Sequence, residues 1–399
     1  MALGRPGTVA ALGTAQTLAW ASSYYLPAML AAPMARDLGV SIPTVFAAFS
    51  VALVVSGLLG PRAGAAIDRW GGRPVLIGTN VVFAVGLAAL GLAQGPAGLF
   101  AAWIVLGIGM GSGLYEAAFA TLVRLYGKDS RNAITGITLI AGFASTVGWP
   151  LSTFMEAQIG WRNACFCWAG LHLLLGLPLN LMLPRAAAIE STPAAASAAP
   201  AGDTDSSSLR AALALSFVFA ATMFIATAMA AHLPRLLQAA GVSLGAAVFV
   251  GALIGPSQVG ARLLEFGLLR KVHPLLSARL ATALHPLGVA IFVVVGAPAA
   301  AVFGILHGAG NGILTIAKGT LPLYLFGAQG YGRRQGLLML PARVTQAASP
   351  WLFGLALDRW GDGALAVSAT VGVLALAMLF MLSAGSGQGA TTQANPARP

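Results

Sequence analysis

A recurring apolar run leaves this chain few folds to choose from. Stretches of about twenty residues, nearly free of charge, follow one another from end to end, and that is the length a helix needs to cross a bilayer. They fall at roughly 9–33, 43–62, 74–94, 97–123, 133–155 and 163–183, and then at roughly 211–233, 244–268, 276–296, 298–323, 335–356 and 363–383. Charged residues make up 8% of the chain and hydrophobic ones 58%, whereas a soluble domain carries about 25% charged residues. Folding in water is excluded. Inside lipid every backbone polar group must be satisfied internally, which leaves helices or closed barrels. Runs twice the length of a barrel strand select helices. The expected fold is an all-α membrane protein with twelve transmembrane helices in two pseudo-symmetric six-helix bundles.

The intervening segments organise the chain. Gln94-Gly95-Pro96 and Gly296 to Pro298 are turns tight enough to join neighbouring crossings,. Residues 185–209 form an Ala/Pro/Ser/Thr stretch with few groups able to pack, so it reads as a linker,. The expected domains are an N-terminal bundle over 1–184, this linker, a C-terminal bundle over 210–384, and a disordered tail over 385–399. The net charge of +11 fits basic loops on one side of a membrane. It does not suit nucleic-acid binding, which needs a clustered basic face. With the N-terminus inside, the inner loops hold Arg62, Arg69, Arg73, Arg124, Lys128, Arg131, Arg185, Arg210, Arg270, Lys271, Arg333 and Arg334; the outer loops hold Arg36, Arg162, Arg235 and Arg359. That bias places both termini and the linker in the cytoplasm, and the chain in a bacterial inner membrane. The first apolar stretch runs past the length of a signal-peptide core, so no cleavable signal is expected. Cys165 and Cys167 sit in an apolar run and read as packing residues,. No metal ligand set or cofactor motif is present.

The two sets of spans also echo each other. The second helix ends in GAAIDRWGGRP, Gly64 to Pro74, and the eighth in LLEFGLLRKVHP, Leu263 to Pro274; EAQIGWRNA and LDRWGDGA close the fifth and eleventh. Internal repeats of this kind mark many secondary transporters. At Gly64, Asp68, Arg69, Gly71 and Arg73 the chain resembles the major facilitator superfamily, whose signature lies between helices 2 and 3; Pro74 stands where that family often has a second basic residue. The resemblance spans essentially the whole chain. It implies a transporter working by alternating access rather than an enzyme. Physically, Asp68 can pair with Arg69, Arg73 or helix ends in one conformation only and so act as a switch. The plainer alternative is a loop that merely fixes topology.

Ionisable residues at membrane depth are costly and are functional candidates by default. Arg262 lies eight residues before Arg270, and Arg343 eight after Gln335. At 1.5 Å per residue each sits about 12 Å in from the same side. Two arginines at one depth suit a clamp on a carboxylate or other oxyanion. The run Ile254 to Arg262 is similar to helix 8 of the monocarboxylate transporters, and that likeness implies that Arg262 binds a substrate carboxylate. Arg343 falls where the related oxalate–formate exchanger carries a substrate-binding lysine. Two departures weaken proton coupling in that family's form: Gln258 stands for an aspartate, and Ala28 follows Pro27 where a lysine is usual.

Glu116 is the replacement candidate for proton coupling, because an acid in a low-dielectric setting can load and release a proton; the plainer alternative is a carboxylate that only neutralises a basic neighbour. Glu265, three residues after Arg262, is placed to pair with it. Lys318 is a possible substrate contact or a residue that snorkels to the interface. Asn311 and His307 share its helix, the first as a substrate contact and the second as a second proton candidate. Tyr24 and Tyr25 precede Pro27 and offer an apolar wall with a hydroxyl; on a continuous helix only one of them can face inward. The expected partners are a small anion, the bilayer and protons, in a monomer. Efflux of drugs or metalloids is the second reading, and a transporter-like receptor or membrane enzyme the third.

Overall fold

A computed structural model describes residues 3–186, 204–268 and 272–382. Most of the linker, the tail, Arg270 and Lys271 lie outside the described residues. The helices are α1 Arg5–Ser22, α2 Leu26–Leu38, α3 Ile42–Trp70, α4 Gly72–Leu92, α5 Pro96–Gly113, α6 Tyr115–Tyr126, α7 Arg131–Ala141, α8 Ala144–Leu171, α9 Leu177–Leu181, α10 Thr204–Ala239, α11 Leu244–Gly267, α12 Pro274–Val295, α13 Ala300–Phe326, α14 Tyr331–Trp360 and α15 Ala364–Met381. Eight continuous helical runs are long and apolar enough to span a membrane. Two of these, Pro96–Leu181 and Tyr331–Met381, fold back on themselves and cross more than once. With α1–α2 they make twelve crossings among the described residues, six before the linker and six after.

Several crossings are broken where the sequence demands it. A helix cannot run through Pro27 without losing a hydrogen bond and meeting the carbonyl a turn earlier. So α1 stops at Ser22, and α2 takes Pro27 into its first turn. The hydroxyls of Ser22 and Ser23 bond back to the carbonyls of Leu18 and Ala19. The glycine-rich run ending at Gly113 leaves Leu114 extended, and α6 begins afresh. At Gly160 (φ 77°) the chain turns between the fifth and sixth crossings; a side chain would be strained there.

Two seams join the bundles. Along the first, α3 and α14 run antiparallel and approach as backbones. A Cβ added to Gly64 would lie 1.9 Å from the Gly332 carbonyl oxygen, and one added to Gly336 would lie 2.4 Å from Gly60. Small residues at such spacing let helices meet closely. Further along the same faces Ser50 donates to the Ala347 carbonyl at 3.4 Å. Beyond that point Phe46 is 43% exposed and Trp351 68%. The closest approach of the two helices thus lies on the face of the molecule that carries Arg5 and Met381, the termini face.

The second seam sets α7 against α11 and α13 and is made by long side chains. Arg131 pairs with Glu265 at 2.9 Å and donates to the Val272 carbonyl at 3.2 Å. Near the opposite face each bundle carries its own ion pair, Asp37–Arg162 at 2.9 Å and Arg235–Asp358 at 2.5 Å. These pairs lie within bundles, not between them.

Candidate substrate site

Between the seams, a connected set of polar side chains crosses from one bundle to the other. Arg343, on α14, is 3% exposed and grips both Glu116 oxygens at 2.8 and 2.9 Å. Glu116 occupies the first turn of α6, where the helix dipole favours a carboxylate. Arg343 also donates to Gln346 Oε1 at 3.0 Å, and Gln346 Nε2 donates to the Tyr24 hydroxyl at 2.8 Å. The chain Glu116–Arg343–Gln346–Tyr24 thus starts and ends in the first bundle and passes through the second.

Arg262, on α11, is 5% exposed and differs in its company. Its guanidinium meets the carbonyls of Gly312 at 3.4 Å and Thr138 at 3.1 Å, Gln258 Oε1 at 3.4 Å and the Thr315 hydroxyl at 3.5 Å. Among the described residues no carboxylate faces it. The sequence-based pairing of Glu265 with Arg262 is corrected here: Glu265 turns away to Arg131 and accepts from the Ser277 hydroxyl at 2.7 Å. A carboxylate one turn along the same helix reached a basic residue across the seam instead. Gln258 keeps its place beside Arg262.

Lys318 is buried on α13, with its ammonium 3.2 Å from Met223 Sδ. It does not snorkel, because α13 continues for two further turns to Phe326 before reaching the surface. Tyr24 and Tyr25 both face this region, contrary to the one-inward argument. That argument required a continuous helix, and the chain is not helical at Ser23–Tyr25. Their rings pack at 5.4 Å, and Trp20 lies 5.1 Å from Tyr24 and 4.8 Å from Tyr115.

His307 and Asn311 are placed elsewhere. His307 Nδ1 lies 3.0 Å from His285 Nδ1. Both histidines line a small cavity inside the second bundle with Asn311, Thr222 and Thr282. Neither residue joins the Glu116–Arg343 group.

Of the contacts open to Asp68, the structure shows the one with a helix end. Asp68 does not pair with Arg69 or Arg73. Its two oxygens accept from the backbone amides of Gly332 at 2.8 Å and Arg333 at 2.9 Å, across the seam at the start of α14. Free amides at a helix N-terminus are the natural partner of a carboxylate. Gly64 supplies the close approach one turn away. Gly71 (φ 82°) allows the reversal into α4,. Arg69 stacks over Trp70, and Arg73 lies in an open cavity with Arg185.

Gln346, Trp20, Arg131 and His285 were not singled out as site residues from sequence, whereas Tyr115 was a weaker candidate beside Glu116. Two had a signal: Gln346 is three residues after Arg343 and Trp20 four before Tyr24, both spacings that share a helix face.

A family model described as the Major Facilitator Superfamily matches residues 12–318, and the chain belongs to that superfamily. Its members are transporters rather than enzymes. Curated relatives include a 4-hydroxybenzoate transporter, PcaK, of Pseudomonas putida, 28% identical over 162 residues, covering 40% of this chain and 35% of that protein. A chloramphenicol resistance protein of Pseudomonas aeruginosa is 32% identical over 157 residues, covering 38% of this chain and 35% of that protein. An uncharacterized 38 kDa protein of Thermoproteus tenax is 32% identical over 157 residues and 40% of its length. The chain thus spans 35–40% of the length of these relatives. Among solved structures, the human organic anion transporter MFSD10 aligns with a TM-score of 0.66 at 18% identity, over 94% of this chain and 99% of the other. The proton:xylose symporter XylE aligns at 0.72 and 13% identity, over 94% and 95%. At these identities the likeness is one of fold.

Proposed function

We propose that this chain is a secondary active transporter that moves a small organic anion, monocarboxylate-like, by alternating access, with Arg262 and Arg343 as its anion-binding residues. The observation that carries the reading is Arg262: a buried guanidinium at the bundle interface, met by neutral acceptors alone among the described residues. Burying a charge without a counter-charge is costly, and an anionic substrate would supply that counter-charge. Arg343 is held by Glu116, and Lys318 is a third buried basic side chain, met by Met223 Sδ. Gln258 holds the Arg262 side chain; Tyr24 and Tyr25 form the wall beside it.

Glu116 occupies both oxygens of its own carboxylate on Arg343, so it competes with a substrate carboxylate for the same guanidinium. Protonating Glu116 would release Arg343 to the anion, which couples proton and anion in one direction of movement. His307 is a second proton candidate, removed from the anion site and paired with His285. Asp68, with Gly64, Arg69, Gly71 and Arg73, forms the conformational switch. The termini face is assigned to the cytoplasm on the distribution of arginine and lysine, in a bacterial inner membrane, and the working unit is a monomer.

The test is a thermal-shift screen of carboxylates and inorganic oxyanions on purified protein, followed by uptake into liposomes. A ligand at a hundred times its Kd stabilises by about 2.7 kcal/mol. Arg262→Ala should abolish the shift, and a shift unchanged in that variant would remove the anion reading. Binding should weaken as pH rises in the natural protein and lose that dependence in Glu116→Gln. Drug efflux is the second reading, supported by the chloramphenicol-resistance relative and by the aromatic group of Trp20, Tyr24, Tyr25 and Tyr115. Retention of chloramphenicol transport in Arg262→Ala would favour it.

A further inference from the structure

A second polar site lies away from the bundle interface, on the termini face. Arg73 and Arg185 share an open cavity with Trp70, Pro74, Ile77, Leu181 and Ala186, with room of about 370 Å³. It forms where the first turn of α4 meets the chain leaving α9. Neither arginine makes an ion pair or a hydrogen bond to any described residue. The acid nearest in sequence, Asp68, has both oxygens committed to the amides of Gly332 and Arg333. Arg69 is also occupied, stacked on Trp70.

The lining has a direction. On α4, Ile77 lies one helical turn deeper than Arg73. On the other wall, Leu181 is the last residue of α9 and Arg185 lies four residues further on, in the non-helical chain leaving it. The α4 wall is thus basic at the surface and aliphatic about 6 Å further in, and the other wall pairs Arg185 with the aliphatic Leu181. Trp70 is 63% exposed at the rim, the position tryptophan favours between water and hydrocarbon. A soluble anion would use the arginines and leave the aliphatic steps bare; an uncharged apolar molecule would do the reverse.

We propose that this cavity binds one anionic phospholipid from the leaflet on the termini face. Its phosphate sits between Arg73 and Arg185, and its acyl chain passes over Ile77 and Leu181. An arginine near a membrane surface contributes about 1 kcal/mol of attraction to anionic lipid, roughly fivefold in occupancy for each one.

Native mass spectrometry of the full-length protein in detergent tests this, with titration of phosphatidylglycerol and, separately, phosphatidylcholine. The expected result is one phosphatidylglycerol adduct at higher affinity than the rest. That affinity should fall about fivefold in Arg185→Gln and further in Arg73→Gln/Arg185→Gln, with phosphatidylcholine adducts unchanged. Size-exclusion profiles and melting temperatures confirm that both variants fold. Equal adducts for the two lipids, or no change in the double variant, would overturn the proposal. Displacement of the adduct by millimolar inorganic phosphate would overturn it too, by assigning the site to a soluble anion.

Discussion

The two seams between the bundles sit at related places in the repeat, yet they close by different means. Along α3 and α14 the contact is backbone to backbone, with glycine on both sides and one carboxylate capping the end of α14. Along α7 and α11 the contact is made by side chains, with Arg131, Glu265 and Arg262 reaching across it. A glycine seam has one fitting geometry, because interiors are close-packed and cannot absorb an extra methyl group. A seam of long side chains can loosen and re-form, since each side chain has other rotamers and other partners. The first acts as a hard stop, the second as an adjustable one, and the site lies between them.

This contrast can be tested as a graded series. The readout is maleimide labelling of Phe46→Cys in a Cys167→Ser background, which reports the opposite face, together with uptake of whichever anion binds. The largest effect belongs to Gly64→Ala. Its methyl group would stand 1.9 Å from a backbone oxygen. Overpacking of this kind costs about 1–3 kcal/mol, so labelling and uptake should fall tenfold or more while insertion is unaffected. Uptake within twofold of the natural protein would show that the seam is not a stop.

Next comes Glu265→Gln, which leaves Arg131 facing an amide; loss of one partner in a buried pair costs about 1–3 kcal/mol. Uptake should drop several-fold, and Arg131→Gln combined with it should be milder than the sum of the singles. Strict additivity would mean that the pair does not close this seam. Asp68→Asn follows: one amide keeps only a neutral acceptor and the other is left with none, worth about 1 kcal/mol. Uptake should be impaired a few-fold with insertion intact, and unchanged uptake would remove the switch role. Gly60→Ala is the smallest. Its methyl would meet the Gly336 Cα at 3.6 Å, an ordinary contact, so the change should stay within about 0.5 kcal/mol. A large loss there would mean that the seam closes more tightly than in this conformation.

Twelve crossings and two halves were legible because the bilayer imposes one length on every span, and hydropathy records that length directly. The arginines were legible because charge at depth is conspicuous. What each charge touches was not. Arg262 and Glu265 are three residues apart, and the helical rule pairs them. The actual partner of Glu265 is Arg131, 134 positions away, and no local spacing holds that distance. Tyr24 and Tyr25 failed for a local reason: Pro27 was read as a residue within a helix when it marks the start of a new one. For Asp68 both arginines and helix ends were legible as partners, but not which helix end: the free amides compete well with an exposed side chain. Those amides belong to α14, some 264 positions on.

The unequal company of the two arginines has a consequence in electrical terms. Glu116 balances Arg343 when nothing is bound, so that pair can travel through the membrane field without work. Arg262 has no such balance, nor has the buried Lys318, and the empty carrier would carry uncompensated positive charge across. Moving one elementary charge through 100 mV is worth about 2.3 kcal/mol. The membrane voltage would then act chiefly on the return of the unloaded carrier, and a bound anion would shield the molecule from it.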